Sequence, residues 1–102
     1  DMLENLQTST KVLVANFSRD TLPASIKVAK QLRMHNIPTE IYPDQDKLKK
    51  QFGYADKKGI RFVVIIGDEE LATGNVVVKD LVSGSQSAVT LEAVSEYCKQ
   101  KL

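Results

Sequence analysis

RFVVIIGDEELATGNVVVK, residues 61–79, is the stretch on which the fold turns. It opens as an unbroken apolar strand, breaks at Gly67 into the acidic turn Asp68-Glu69-Glu70, and passes a second glycine, Gly74. A further β-prone run follows and ends on Lys79. An apolar run without polar alternation predicts a strand covered on both faces, the central strand of an α/β sheet. In open sheets of this kind ligands gather at the carboxyl ends of the strands, where this turn falls. Three carboxylates with a lysine nearby are either a solvated loop or a recognition site.

Elements are legible on either side of this run. Residues 11–17 (KVLVANF) predict a first short strand. Leu22, Ile26, Ala29 and Leu32 recur at helical spacing with Val28 beside them, and Pro23 suits a first helical turn. Asn36 predicts a left-handed cap, with Pro38 barring continuation. Residues 39–42 predict a second strand, and residues 46–58 a second helix with Leu48, Phe52 and Ala55 inward and Gly59 ending it. After the central strand, residues 75–82 and 86–89 read as a hairpin around Ser83-Gly84-Ser85. Thr90 is expected to cap a last helix with Leu91, Val94 and Cys98 inward. The order is β-α-β-α-β-β-β-α: an α/β fold with a mixed five-stranded sheet and three helices. Right-handed crossovers make its first three strands parallel. The domain is expected over residues 11–102, with 1–10 a linker or the tail of an upstream element.

Composition narrows the function by exclusion. The 102 residues suffice for one domain with its own core. With 14 basic and 13 acidic residues, the net charge of +1 points to no class of partner. A single cysteine, Cys98, forms no internal disulfide and suits a reducing compartment. No apolar stretch approaches the roughly 20 residues of a membrane span. The Asp1-Met2 opening is read as a cut from a longer, cytoplasmic protein.

No catalytic residue is assigned. There is neither a GxGxxG nor a GxxxxGK[ST] loop, no nucleophile–base pair, and no His/Cys set with metal-ligand spacing. His35 is read as a cation at a helix end, and Cys98 as a core thiol. Asp68, Glu69 and Glu70 with Asp44 and Asp46 could hold Mg2+, as in a receiver domain, but the first strand ends in Asn16-Phe17 where a receiver carries its acidic pair. Lys47, Lys50, Tyr54, Lys57 and Lys58 fall on one arc of the second helix, away from its apolar side. That arc is either a solvated face or a phosphate-contacting surface with an aromatic able to stack on a base.

The stretch QFGYADKKGIRFVVIIGDEELATGNVVVKDL, residues 51–81, resembles the C-terminal anticodon-binding domain of class IIa aminoacyl-tRNA synthetases, most of all the histidyl-tRNA synthetases. The resemblance rests on Ala55-Asp56-Lys57-Lys58-Gly59-Ile60, then Gly67-Asp68-Glu69-Glu70-Leu71, then Gly74, Val76-Val77-Val78 and Lys79-Asp80-Leu81. The opening Lys11-Val12-Leu13-Val14 and the turn Asn36-Ile37-Pro38 extend it. It implies a domain that grips a tRNA anticodon, with no active site of its own, inside a larger ATP- and Mg-dependent ligase. The partner implied is a histidine-accepting tRNA, and the full-length enzyme is a homodimer. By position it implies that Glu70 reads an anticodon base, that Lys79 stands where a basic residue, often arginine, ends the next strand, and that Gln45 is a polar contact at the start of the second helix. The alternatives are a regulatory paralogue of such synthetases and a receiver-like small-ligand or Mg-binding domain.

Overall fold

The structure, a computed structural model, describes residues 10–16, 19–43 and 45–102. Apart from Thr10, the expected linker over residues 1–10 lies outside the described residues, as do Phe17 and Asp44. The chain runs β1 (Val12–Val14), α1 (Leu22–Met34), β2 (Thr39–Ile41), α2 (Leu48–Lys58), β3 (Phe62–Ile65), α3 (Asp68–Thr73), β4 (Asn75–Asp80), β5 (Gln86–Thr90) and α4 (Val94–Lys101). The strands form one sheet in the order β2-β1-β3-β4-β5. β1 is parallel to β2 and β3, while β4 is antiparallel to both β3 and β5. The apolar run is thus the central strand of a mixed five-stranded sheet.

Both faces of β3 are covered, as its composition requires. Phe62, Val64 and Ile66 join Val28, Ala29 and Leu32 of α1, Val76 and Val78 of β4, and Val94 and Cys98 of α4. Val63 turns the other way, to Leu13, Tyr42, Ile60 and Ala55 of α2. Burial pushes the Cys98 thiol up to about 11, so it stays protonated. α2 packs over β1 and β3, its Leu48, Phe52 and Ala55 clustering with Leu13 and Val63. On that face Val77 and Lys79 are half-buried, and their cross-strand neighbours Ala88 and Gln86 are exposed.

Among the described residues four helices are present where three were expected. The acidic turn is itself helical, because Glu70 Oε1 accepts the Gly67 backbone N–H at 2.7 Å. Its first-turn acids Asp68, Glu69 and Glu70 favour the positive end of the helix dipole. Gly74, at φ 78°, ends it in the left-handed region. Asn36 caps the end of α1 at φ 63°, as expected of it.

Other boundaries shift for local reasons. α2 begins at Leu48 rather than at residue 46, since Lys47 is extended at ψ 145°. Thr90 does cap, but it caps a turn: its Oγ1 accepts the Ala93 N–H at 3.2 Å, and α4 starts only at Val94. Ile26, expected inward, is 50% exposed, and Ser25 takes the buried place beside Val28 and Ala29.

At the amino end of β3, Arg61 clamps the sheet. Its guanidinium meets the buried Asp80 carboxylate at 3.3 Å and donates to the Lys101 carbonyl at 2.5 Å. Asp80 Oδ1 also accepts the Val82 and Ser83 N–H groups, shaping the β4–β5 turn. Burial alone would push the Asp80 carboxyl up. Arg61 and the two backbone donors outweigh it, and the group is held below its ordinary 3.8. A depressed folded-state value means that the stabilisation is complete above the unfolded value of about 3.9 and is lost as pH falls through the folded one. Asp80→Asn is therefore expected to cost about 1–3 kcal/mol at neutral pH. Urea unfolding across pH should show the gap to the parent chain closing below about pH 4. A gap independent of pH would remove the carboxylate from the account.

Candidate nucleic-acid interface

Because β1, β2 and β3 are parallel and in register, their carboxyl ends lie together. Val14 stands level with Ile41 and with Val64. The residues that follow, Asn16, residues 42–43 and 45–47, and Gly67 with α3, therefore share one end of the sheet. A broad cleft of about 580 Å³ there is lined by Gln45, Asp46, Lys47 and Leu48. Gln45 and Lys47 are exposed.

Asp46 organises the start of α2. Its carboxylate accepts the Lys47 N–H at 2.8 Å and pairs with Lys50 Nζ at 3.2 Å. That backbone hydrogen bond, with Lys50, holds the Asp46 carboxyl below its ordinary range. Lys50 is thus engaged with a neighbour, although its side chain remains 69% exposed.

Beneath this segment sits a residue that sequence reasoning missed. Gln51 is fully buried. Its Oε1 accepts the Asn16 N–H at 2.8 Å, and its Nε2 donates to the carbonyls of Asn16 and Asp46, each at 2.9 Å. Asn16 in turn donates from Nδ2 to the Tyr42 carbonyl at 3.1 Å, while its buried Oδ1 has no hydrogen-bond partner among the described residues. The signal was present, since position 51 lies three residues after Leu48 and four before Ala55, on the inward arc.

Glu70 stands at the same end of the sheet as Gln45 and Lys47, half-buried, with one oxygen committed to its own helix N-terminus. Its other oxygen has no hydrogen bond among the described residues. Asp68 and Glu69 are exposed, and no three acids, histidines or cysteines gather to hold a metal ion among the described residues.

Lys79 is elsewhere. β4 runs back along β3, so Lys79 pairs with Val63 near the amino end of the sheet. Gly67 lies four residues beyond Val63, about 13 Å along the strand. Lys57 and Lys58, which close α2, also lie toward that amino end, because the helix returns against the strand direction over 11 residues, about 16 Å. Tyr54 lies between the two levels. Its hydroxyl donates to Glu40 at 2.9 Å, which, with burial, raises its pKa. Its ring meets Tyr42 edge-on at 5.3 Å and lies under Lys58 at 5.2 Å. A base stacking on Tyr54 would have to displace that ammonium.

The eight residues singled out from the sequence therefore divide. Gln45, Lys47, Lys50 and Glu70 share the carboxyl end, Lys57, Lys58 and Lys79 sit toward the other, and Tyr54 lies between. The first group offers acceptors and an amide suited to base edges, with cations beside them, and the second offers cations suited to phosphate.

The class of protein defined by this fold and surface is confirmed by comparison: residues 11–101 match the family model described as an anticodon binding domain, and the chain belongs to that family. Within the family it is similar to the segment carried by histidine–tRNA ligases. It is 41% identical over 86 residues to the histidine–tRNA ligase of Cytophaga hutchinsonii, covering 84% of this chain and 19% of that protein. It is 40% identical over 95 residues to the ligase of Stenotrophomonas maltophilia, covering 93% and 20%. The crystal structure of histidyl-tRNA synthetase from Nostoc sp. PCC 7120 superposes with a TM-score of 0.90 at 39% identity, over 92% of this chain and 23% of that one. The chain thus spans about one-fifth of the length of the curated relatives it matches. This membership decides against the receiver-like alternative. Among the described residues no helix is long and apolar enough to cross a membrane.

Proposed function

We propose that this chain holds the anticodon loop of a histidine-accepting tRNA for a histidine–tRNA ligase. A catalytic domain elsewhere in the same protein would join histidine to the distant acceptor end, with ATP and Mg as its cofactors. The setting is the cytoplasm and the working form a homodimer. The observation that carries this reading is the meeting of Gln45, Lys47 and Glu70 at one end of the sheet, in a chain of this family. Glu70 would accept from base amino or imino groups, Gln45 would both donate and accept, and Lys47, Lys50, Lys57 and Lys58 would contact phosphates. Lys79 lacks the fork of an arginine, so its part is contact with phosphate or a single base oxygen.

Titration of labelled anticodon stem–loops tests this reading. Affinity should fall with salt as counterions are released. Glu70→Ala should reduce discrimination between cognate and scrambled anticodons by about 5- to 100-fold, with a smaller effect on scrambled RNA. Because Glu70 also caps α3, Glu70→Gln is the control. Its amide oxygen can still accept the Gly67 N–H, so a loss of discrimination in that variant belongs to the carboxylate. Equal binding of the parent chain to both stem–loops would sink base reading.

A further inference from the structure

We propose that Gln51 and Asn16 are positioning residues that set the geometry of the base-reading end, an inference that rests on the tRNA reading above. Gln51 occupies an inward position of α2 whose neighbours are Leu48 and Ala55, where a side chain needs only the right shape. A buried amide is tolerated there only because it is hydrogen-bonded. Its three hydrogen bonds all run to the carboxyl-end segments, two to the Asn16 backbone and one to the Asp46 carbonyl. Asn16 extends the tie: its backbone carbonyl accepts the Asp46 N–H at 3.2 Å and its side chain donates to the Tyr42 carbonyl. Asp46, which stands between Gln45 and Lys47, is therefore tied to the end of β1, as is Tyr42 upstream. β1 is in turn registered on β3, which leads into Gly67 and Glu70.

Gln45, Asp46 and Lys47 belong to neither a helix nor a strand, so their placement relative to Glu70 depends on these ties. Base reading tolerates displacements of only about 0.5 Å. A lysine reaching a phosphate on a flexible stem tolerates more. Loosening the tie should therefore cost discrimination before it costs grip.

The test uses the full 102-residue chain, with labelled anticodon stem–loops of histidine-accepting tRNA in cognate and scrambled form. Gln51→Met keeps the volume and removes the amide. Asn16→Ala leaves all three Gln51 hydrogen bonds in place and removes the side-chain hydrogen bond to the Tyr42 carbonyl, while the Tyr42 N–H stays on the Val14 carbonyl at 3.1 Å. In both variants the cognate-to-scrambled affinity ratio is expected to fall roughly tenfold. Scrambled affinity and its salt slope should stay within about twofold of the parent chain. Thermal unfolding is followed in parallel, and if Gln51→Met loses its cooperative transition, Asn16→Ala carries the test. Folded variants with an unchanged ratio overturn the proposal, as does an equal loss of both affinities. Unfolding of both variants overturns it too, by making the tie one of stability alone. A parent chain that does not discriminate fails differently: it removes the tRNA reading itself and the inference with it.

Discussion

Replacing Phe62 by alanine is expected to remove about 3–5 kcal/mol of folding stability, the largest loss of any single substitution considered. Its ring is fully buried on the central strand, among residues from β1, α1, β4 and α4. The cavity left would lie at the middle of the sheet, where hydrogen-bonded strands on both sides limit collapse. The Arg61 guanidinium, which lies 5.0 Å from the ring centre, would also lose the surface beneath it. Domains of this size are stable by about 5–15 kcal/mol, so the variant should be marginal at room temperature. Urea unfolding followed by circular dichroism measures the loss directly. Ile26→Ala is the matched control, because that side chain is half exposed and should cost little. A Phe62→Ala midpoint close to that of the control would contradict the assignment of the core.

Reversing Lys47 and Lys57 to glutamate is expected to weaken binding of every RNA by about one to two orders of magnitude at low salt. The two residues sit at opposite ends of α2, about 15 Å apart, and both are exposed. Lys50 is the poorer choice because Asp46 already pairs with it. Each phosphate contact removed should lower the magnitude of the log–log salt slope by about one, so the double variant should lose about two. The ratio between cognate and scrambled stem–loops should be unchanged, in contrast to Glu70→Ala. An unaltered slope would mean that α2 is a solvated face and that the RNA lies elsewhere.

The sheet was legible because its signals are long or chemically unambiguous. The run through Val63 and Val64 has no polar interruption, and Asn36 and Gly59 mark helix ends by a backbone conformation that few residues adopt. α3 was missed because six residues are too few for a hydrophobic period to show. Its other signs were in plain view: three acids in a row after a glycine, the last of them three residues on, as a helix N-terminus favours. Ile26 misled because spacing identifies a broad face and not its border. The site was legible as residue types but not as an arrangement. Nothing local tells that β4 reverses and carries Lys79 away from Glu70, since that follows from sheet pairing. Gln51 was overlooked because a polar residue on an apolar arc reads as noise until its partners are seen, and the one that takes two of its three hydrogen bonds, Asn16, lies 35 residues away.

The reversal of β4 has a bearing on how such a surface can change. The level of Lys79, opposite Val63, lies about 13 Å along the strand from Gly67, where the helix of Glu70 begins, and substitutions at that separation usually act independently. Selectivity and holding strength are then adjustable by separate substitutions, like two independent dials on one rigid panel. On the proposed reading, a chain of this kind could move to a tRNA with another anticodon through changes at Glu70 and its surroundings, while the cations at the other end of the sheet are left intact.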